Sequence, residues 1–137
     1  MSWQGYVDQS LIGTGKIDAA AIFSAAGDSV WAASAGFTIK PEEVKALIDG
    51  MNAKEPANNN GTWVNPLAAH GFHVNGVKYF TLKSDDRSVY GKQGKVGIVV
   101  VRTKQAILIA HYPENTQPGE AAKITEQLAD YLIGVGY

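Results

Sequence analysis

Two nearly uniform apolar runs late in the chain, VGIVVV from Val96 and AILIAH from Ala106, constrain the fold more than any other feature. A strand that is apolar at successive positions presents apolar side chains to both sides of its sheet, so both faces of that sheet must be covered. Only Thr103-Lys104-Gln105 separates a strand over 96–102 from one over 106–112. A parallel crossover needs about a dozen residues, so the two strands must pair antiparallel. The pattern predicts an α+β fold, a central antiparallel sheet with helices on both faces.

The covering helices are legible. From Pro118 to Tyr137 the apolar positions Ala121, Ile124, Leu128, Tyr131, Leu132 and Val135 recur in steps that place one stripe on a helix face. Pro118 suits a first turn, Glu120 complements the positive helix end, and Gly134 with Gly136 supplies a stop. At the other end Trp3, Tyr6, Val7, Ser10 and Leu11 describe a short amphipathic helix with Ser2 as its cap, ended by Gly13-Thr14-Gly15. A third helix opens at Lys40-Pro41-Glu42-Glu43 and runs through Val44, Leu47 and Ile48 to about Met51.

The other strands follow from turn chemistry. Ala26-Gly27-Asp28 separates strands over 17–24 and 29–34, and Asn75-Gly76 between Phe72-His73-Val74 and a strand over 77–82 is a strong hairpin signal. One more strand is expected over 88–92. Asn52 to His70 has no periodicity and is rich in asparagine, proline and glycine, which predicts a long loop. Its Asn60-Gly61-Thr62 matches a glycosylation acceptor, but the opening MSWQGYVDQS has no basic region followed by an apolar core. The expectation is therefore a cytosolic chain and an ordinary asparagine-rich turn. With 137 residues, 45% of them hydrophobic, the chain can bury a core without metal or disulfide and is expected to be one domain. It has no cysteine, which excludes thiolate chemistry, and a net charge of −1, which gives no electrostatic signature of nucleic acid.

Catalytic patterns are sparse. His70 and His73 form an HxxH pair with no third ligand nearby, and His111 at a strand end suits a satisfied, partly buried histidine. Gly94-Lys95 is followed by Val96 where a phosphate-binding loop requires Ser or Thr. Asp85-Asp86 before Arg87-Ser88 reads as a charged turn, and no serine lies in a nucleophile elbow. The expectation is a protein that is not an enzyme and needs no cofactor or metal.

The aromatic residues say more. Trp3 and Tyr6 lie one turn apart, Tyr131 lies on the last helix and Tyr137 closes the sequence. If both terminal helices share one face of the sheet, these rings converge with Trp31 from the strand beneath. Such a groove suits proline-rich peptides, whose preformed extended helix loses little entropy on docking. By spacing alone, core packing is the stronger reading of these rings.

A resemblance then bears on the choice. MSWQGYVDQSLIGTGKID, GDSVWAASAGF, DDRSVYGK and EQLADYLIGVGY, in this order over nearly the whole chain, resemble profilins, and fungal profilins most. The resemblance implies one domain over 1–137, with both terminal helices on one face of an antiparallel sheet and smaller helices on the other. It also implies a monomer that binds monomeric actin, proline-rich segments of regulators such as formins, and acidic phosphoinositides, in the cytoplasm and cytoskeleton. By resemblance the proline site comprises Trp3, Tyr6, Trp31, Tyr131, Leu132 and Tyr137. The actin surface comprises Lys78, Lys83, Arg87, Tyr90, Lys92, Gly119 and Lys123, with Lys83, Arg87 and Lys92 also able to hold a phosphoinositide headgroup. Against the family pattern the Asn52 to His70 segment is long and carries Trp63. The alternatives are a PAS-like small-ligand sensor, and a hydrolase using His73 or His111 with Asp85.

Overall fold

The computed structural model describes residues 3–52, 71–84 and 87–137. The long asparagine-rich segment with Trp63 and His70, the Asp85-Asp86 pair and the expected cap Ser2 lie outside the described residues. Seven described strands form one sheet in the order β2-β1-β7-β6-β5-β4-β3. They are β1 (Ala19–Ser24), β2 (Val30–Ala33), β3 (Phe72–Val74), β4 (Val77–Ser84), β5 (Ser88–Gln93), β6 (Val96–Arg102) and β7 (Ala106–Tyr112). Every neighbouring pair is antiparallel.

The apolar runs divide as a period of two requires. On β6, Val99 and Val101 enter one core while Ile98 and Val100 enter the other; on β7, Leu108 and Ala110 face opposite to Ile107 and Ile109. The first core receives Val7 and Leu11 from the N-terminal helix and Ala121, Leu128 and Leu132 from the C-terminal one. The second is covered by α2 (Pro41–Asn52) through Val44, Leu47 and Met51. Both terminal helices therefore share one face, as the resemblance implied.

The N-terminal helix departs from expectation in its winding. It opens with one α turn at Trp3–Gly5, continues as a π-helix over Tyr6–Leu11 and closes in a 3-10 turn at Ile12–Thr14; together these form α1. Gly15 ends it at φ +78°. Beyond α1, Lys16 pairs with Glu120 at 3.5 Å and its carbonyl accepts from Thr116 Oγ1 at 2.8 Å. These contacts hold the chain leaving α1 against the start of α3 (Pro118–Gly134).

On the opposite face Glu43, only 6% exposed, locks a turn. Its carboxylate accepts the backbone N–H groups of Lys40 at 2.8 Å, Asn75 at 3.1 Å and Gly76 at 2.9 Å. It thus closes one half of a capping box on α2 and holds the β3–β4 hairpin, whose Asn75 and Gly76 both have positive φ. β4 carries an irregularity between Thr81 and Lys83, after which Lys83 faces Tyr90 on β5.

Candidate functional site

α1, β2 and the end of α3 bring five rings together. Trp3 is central: its ring lies 4.6 Å from Trp31, 5.6 Å from Tyr6 and 5.0 Å, edge-on, from Tyr137, and Tyr6 continues the series to Tyr131 at 6.2 Å. All four separations fall in the range where aromatic pairs attract. Trp3, Tyr6 and Trp31 are half-buried against the first core, while Tyr131 and Tyr137 are 54% and 41% exposed. The rings are thus both the rim of the core and an open surface.

Local chemistry explains the placement. Gln4 donates from Nε2 to the Ala33 carbonyl at 3.0 Å, which ties α1 to β2 and Trp3 to Trp31. Gly136 adopts φ +99°, so α3 ends in a Schellman motif: Tyr137 N–H reaches the Leu132 carbonyl at 2.8 Å and Gly136 N–H that of Ile133 at 3.2 Å. The reversal turns Tyr137 back toward Trp3. Its main-chain oxygen is then held by Gln105 N–H at 2.5 Å and Thr103 Oγ1 at 2.7 Å. Burial pushes the Tyr6 hydroxyl above its ordinary pKa, and its hydrogen bond with Tyr131 adds to the shift. The Tyr6 phenol therefore stays protonated and able to donate at neutral pH.

Leu132 requires a correction. It is 0% exposed and belongs to the first core, so it supports the groove from beneath and does not line it. Successive helical positions are about 100° apart, so the neighbour of an outward Tyr131 turns inward.

The second set of expected residues gathers on β4, β5 and α3. Lys83 Nζ sits 4.9 Å from the centre of the Tyr90 ring, and Lys78 Nζ lies 5.8 Å from that of Phe80. Lys92 stands opposite Phe80 in the register of β4 and β5. Gly119 and Lys123 are exposed near the start of α3. Arg87 is not a bare cation: its Nε pairs with Glu126 Oε1 at 3.2 Å and its Nη2 with Asp130 Oδ1 at 2.8 Å. The hydrogen bond that Arg87 donates to Asp130 raises the guanidinium pKa further; burial opposes that rise, and the charge of Glu126 adds to it.

Sequence reasoning missed Glu126 and Asp130, which lie one helical turn apart and face β5 from α3. It also missed that Phe80 and Leu82 stay 67% and 59% exposed on β4, and that Val30, beside Trp31, is 58% exposed. A lysine-flanked apolar pair near a sheet edge was the available signal for Phe80 and Leu82.

The remaining histidines are placed differently. His111 Nδ1 lies 2.5 Å from Asp18 Oδ1, which makes it the satisfied, partly buried histidine expected. The pair borders a cavity of about 240 Å³ with Tyr79, Asn75 and Phe37. Burial, then Asp18 and Glu43, push the Tyr79 hydroxyl up to about 12. His73 is exposed on β3, and among the described residues no cluster of His, Cys, Asp or Glu could hold a metal. No described helix is long and apolar enough to cross a membrane.

An aromatic groove at one edge and a charged, partly apolar surface elsewhere, carried by one sheet with paired terminal helices, define a two-surface binding module. Comparison with known proteins specifies the class. The profilin family model matches residues 1–137. Profilin of Schizosaccharomyces pombe is 58% identical and that of Saccharomyces cerevisiae 51% identical, each over 137 residues that cover 100% of both chains. The S. pombe profilin crystallized from sodium formate has a TM-score of 0.88 and 56% identity, covering 99% of this chain and 100% of that one. The chain belongs to the profilin family, whose members are actin-binding regulatory proteins and not enzymes. Nothing in these comparisons favours the sensor alternative.

Proposed function

We propose that this protein is a single-domain, monomeric regulator of actin polymerisation that works by stoichiometric binding in the cytoplasm and cytoskeleton. It holds an actin monomer on the β4–β5–α3 surface and a proline-rich segment, such as those of formins, in the aromatic groove, and so delivers monomers to growing filament ends. The observation that carries the reading is the unbroken series of ring contacts from Trp31 through Trp3 and Tyr6 to Tyr131, assembled from three elements distant in sequence. Flat rings stack on proline rings, and phenol and indole hydrogens donate to the peptide carbonyls that an extended, unbonded helix leaves free. The groove is held by the fold before any peptide arrives, which lowers the entropic cost of docking.

On the other surface Lys78, Lys83 and Lys92 supply positive charge around exposed Phe80 and Leu82, and Lys123 adds a further exposed cation on α3. That combination suits an acidic partner face with an apolar centre, where charge sets encounter and orientation. An acidic phosphoinositide headgroup is a further ligand for Lys83, Lys92 and Arg87, and at Arg87 it competes with Glu126 and Asp130.

The test is a titration of intrinsic tryptophan fluorescence with an oligoproline peptide, against a glycine-serine peptide of equal length. Two of the indoles, Trp3 and Trp31, sit in the groove. A saturable change with oligoproline alone is expected. The same response to both peptides, or none to either from folded protein, would contradict the reading.

A further inference from the structure

We infer that Glu126, a residue absent from the expected partner surface, is a positioning residue for it: one carboxylate on α3 fixes both Arg87 and Tyr90, and through Tyr90 the seat of Lys83. The inference rests on the reading of this surface as the actin-facing one.

Three side chains of one short segment converge on Glu126. Arg87 Nε donates at 3.2 Å, Ser88 Oγ lies 3.1 Å from each carboxylate oxygen, and Tyr90 OH donates to Oε2 at 2.5 Å. Ser88 and Tyr90 are two apart on β5 and so point to the same face, toward α3. Ser88 is 2% exposed, and the Glu126 side chain is 25% exposed. The carboxylate is therefore partly withdrawn from water among donors that use its acceptor sites. Asp130, one turn further along α3, accepts from Arg87 Nη2 at 2.8 Å, and the Glu126 carbonyl accepts from the same nitrogen at 3.5 Å. The bond from Tyr90 OH sets the plane of that ring, and Lys83 rests over its face at 4.9 Å. Position passes from one anion to two cations.

Charge and position predict opposite signs. Glu126 lies among Lys83, Arg87, Lys92 and Lys123, so by charge alone its removal makes the surface more positive and strengthens binding to an acidic partner. As a positioning residue its removal loosens Arg87, which keeps its bond to Asp130, and the Tyr90 hydroxyl, and binding must then select one arrangement of them. The second effect dominates here, because the carboxylate is mostly buried and its charge is offset by Arg87 at 3.2 Å.

The experiment compares the wild type with Glu126→Ala, Glu126→Gln, Arg87→Ala and the Arg87→Ala/Glu126→Ala pair. Each is assayed for affinity for purified actin monomer, for oligoproline affinity and for its thermal midpoint. The expected result is an actin affinity about 10-fold weaker for Glu126→Ala with oligoproline affinity unchanged. Glu126→Gln, which keeps an acceptor for Ser88 and Tyr90, recovers about half of that loss on a logarithmic scale. The double substitution is weaker than Arg87→Ala by less than Glu126→Ala alone is weaker than the wild type, because the two residues act together. Unchanged or tighter actin binding by both Glu126 variants would overturn the inference and leave the actin reading intact. Parallel loss of oligoproline affinity would also overturn it, since the role would then be structural. A wild type that does not bind actin would overturn the actin reading itself, and the inference with it.

Discussion

The two candidate surfaces share α3 but are held together by different forces. In the groove, five rings cohere by their own contacts and three of them, Trp3, Tyr6 and Trp31, rest on the first core, so the surface is an extension of the hydrophobic interior. On the charged surface, Arg87 is fixed by carboxylates from a different element, and Lys83 rests on the Tyr90 ring at the margin of the first core. Adjacent residues show the division: Asp130 serves the charged cluster, Tyr131 the groove and Leu132 the core. A surface built from core rings needs only the fold to be intact; a surface built from paired charges also depends on ionic strength and on partners that single-residue chemistry does not reveal.

That contrast can be broken from beneath. Leu132→Ala empties a fully buried site in the first core and should cost about 3 kcal/mol of stability, read by urea denaturation, with both bindings lost in proportion to the unfolded fraction. If proline binding alone failed, Leu132 would belong to the groove after all. The next largest effect separates the surfaces: Trp3→Ala removes the ring that touches three others and should weaken oligoproline binding at least about 30-fold while leaving actin affinity within about twofold. Because Trp3 is half-buried, the stability cost should be about 1 to 2 kcal/mol. A loss of about 3 to 5 kcal/mol would mark a core tryptophan instead. The smallest effect is that of salt. Raising ionic strength from about 0.05 M to about 0.5 M shrinks the Debye length severalfold. Association with actin monomers, followed by stopped flow, should slow about fivefold, with oligoproline affinity almost unchanged.

Much of the fold was readable because the features behind it are local. The runs in β6 and β7 forced antiparallel pairing, Asn75-Gly76 marked its hairpin, and the stripe of α3 with its glycine stop matched Pro118–Gly134. The π winding of α1 was hidden, since apolar steps of three and four residues point to an ordinary α-helix and the π segment is only Tyr6–Leu11. The groove rings were visible as residue types, but only the packing of α1 beside β2 and α3 makes them a surface and not interior. Leu132 was assigned to the groove because family resemblance transfers positions without their burial. Glu126 was invisible for a different reason: it lies 39 residues from Arg87, and no pattern of charge along the chain announces a contact between a helix and the sheet it covers.

On the proposed function one small domain carries two independent surfaces, one for an actin monomer and one for a proline-rich segment. The most direct measurement is the affinity of a fluorescently labelled oligoproline peptide, by anisotropy, for the protein alone and for the protein saturated with actin monomer. Affinities within about twofold of each other, with the larger anisotropy of a ternary complex, are predicted, since coupling of 1 kcal/mol or more would change affinity about fivefold. Release of the peptide as actin is added would contradict the account, because the two partners would then compete for one surface.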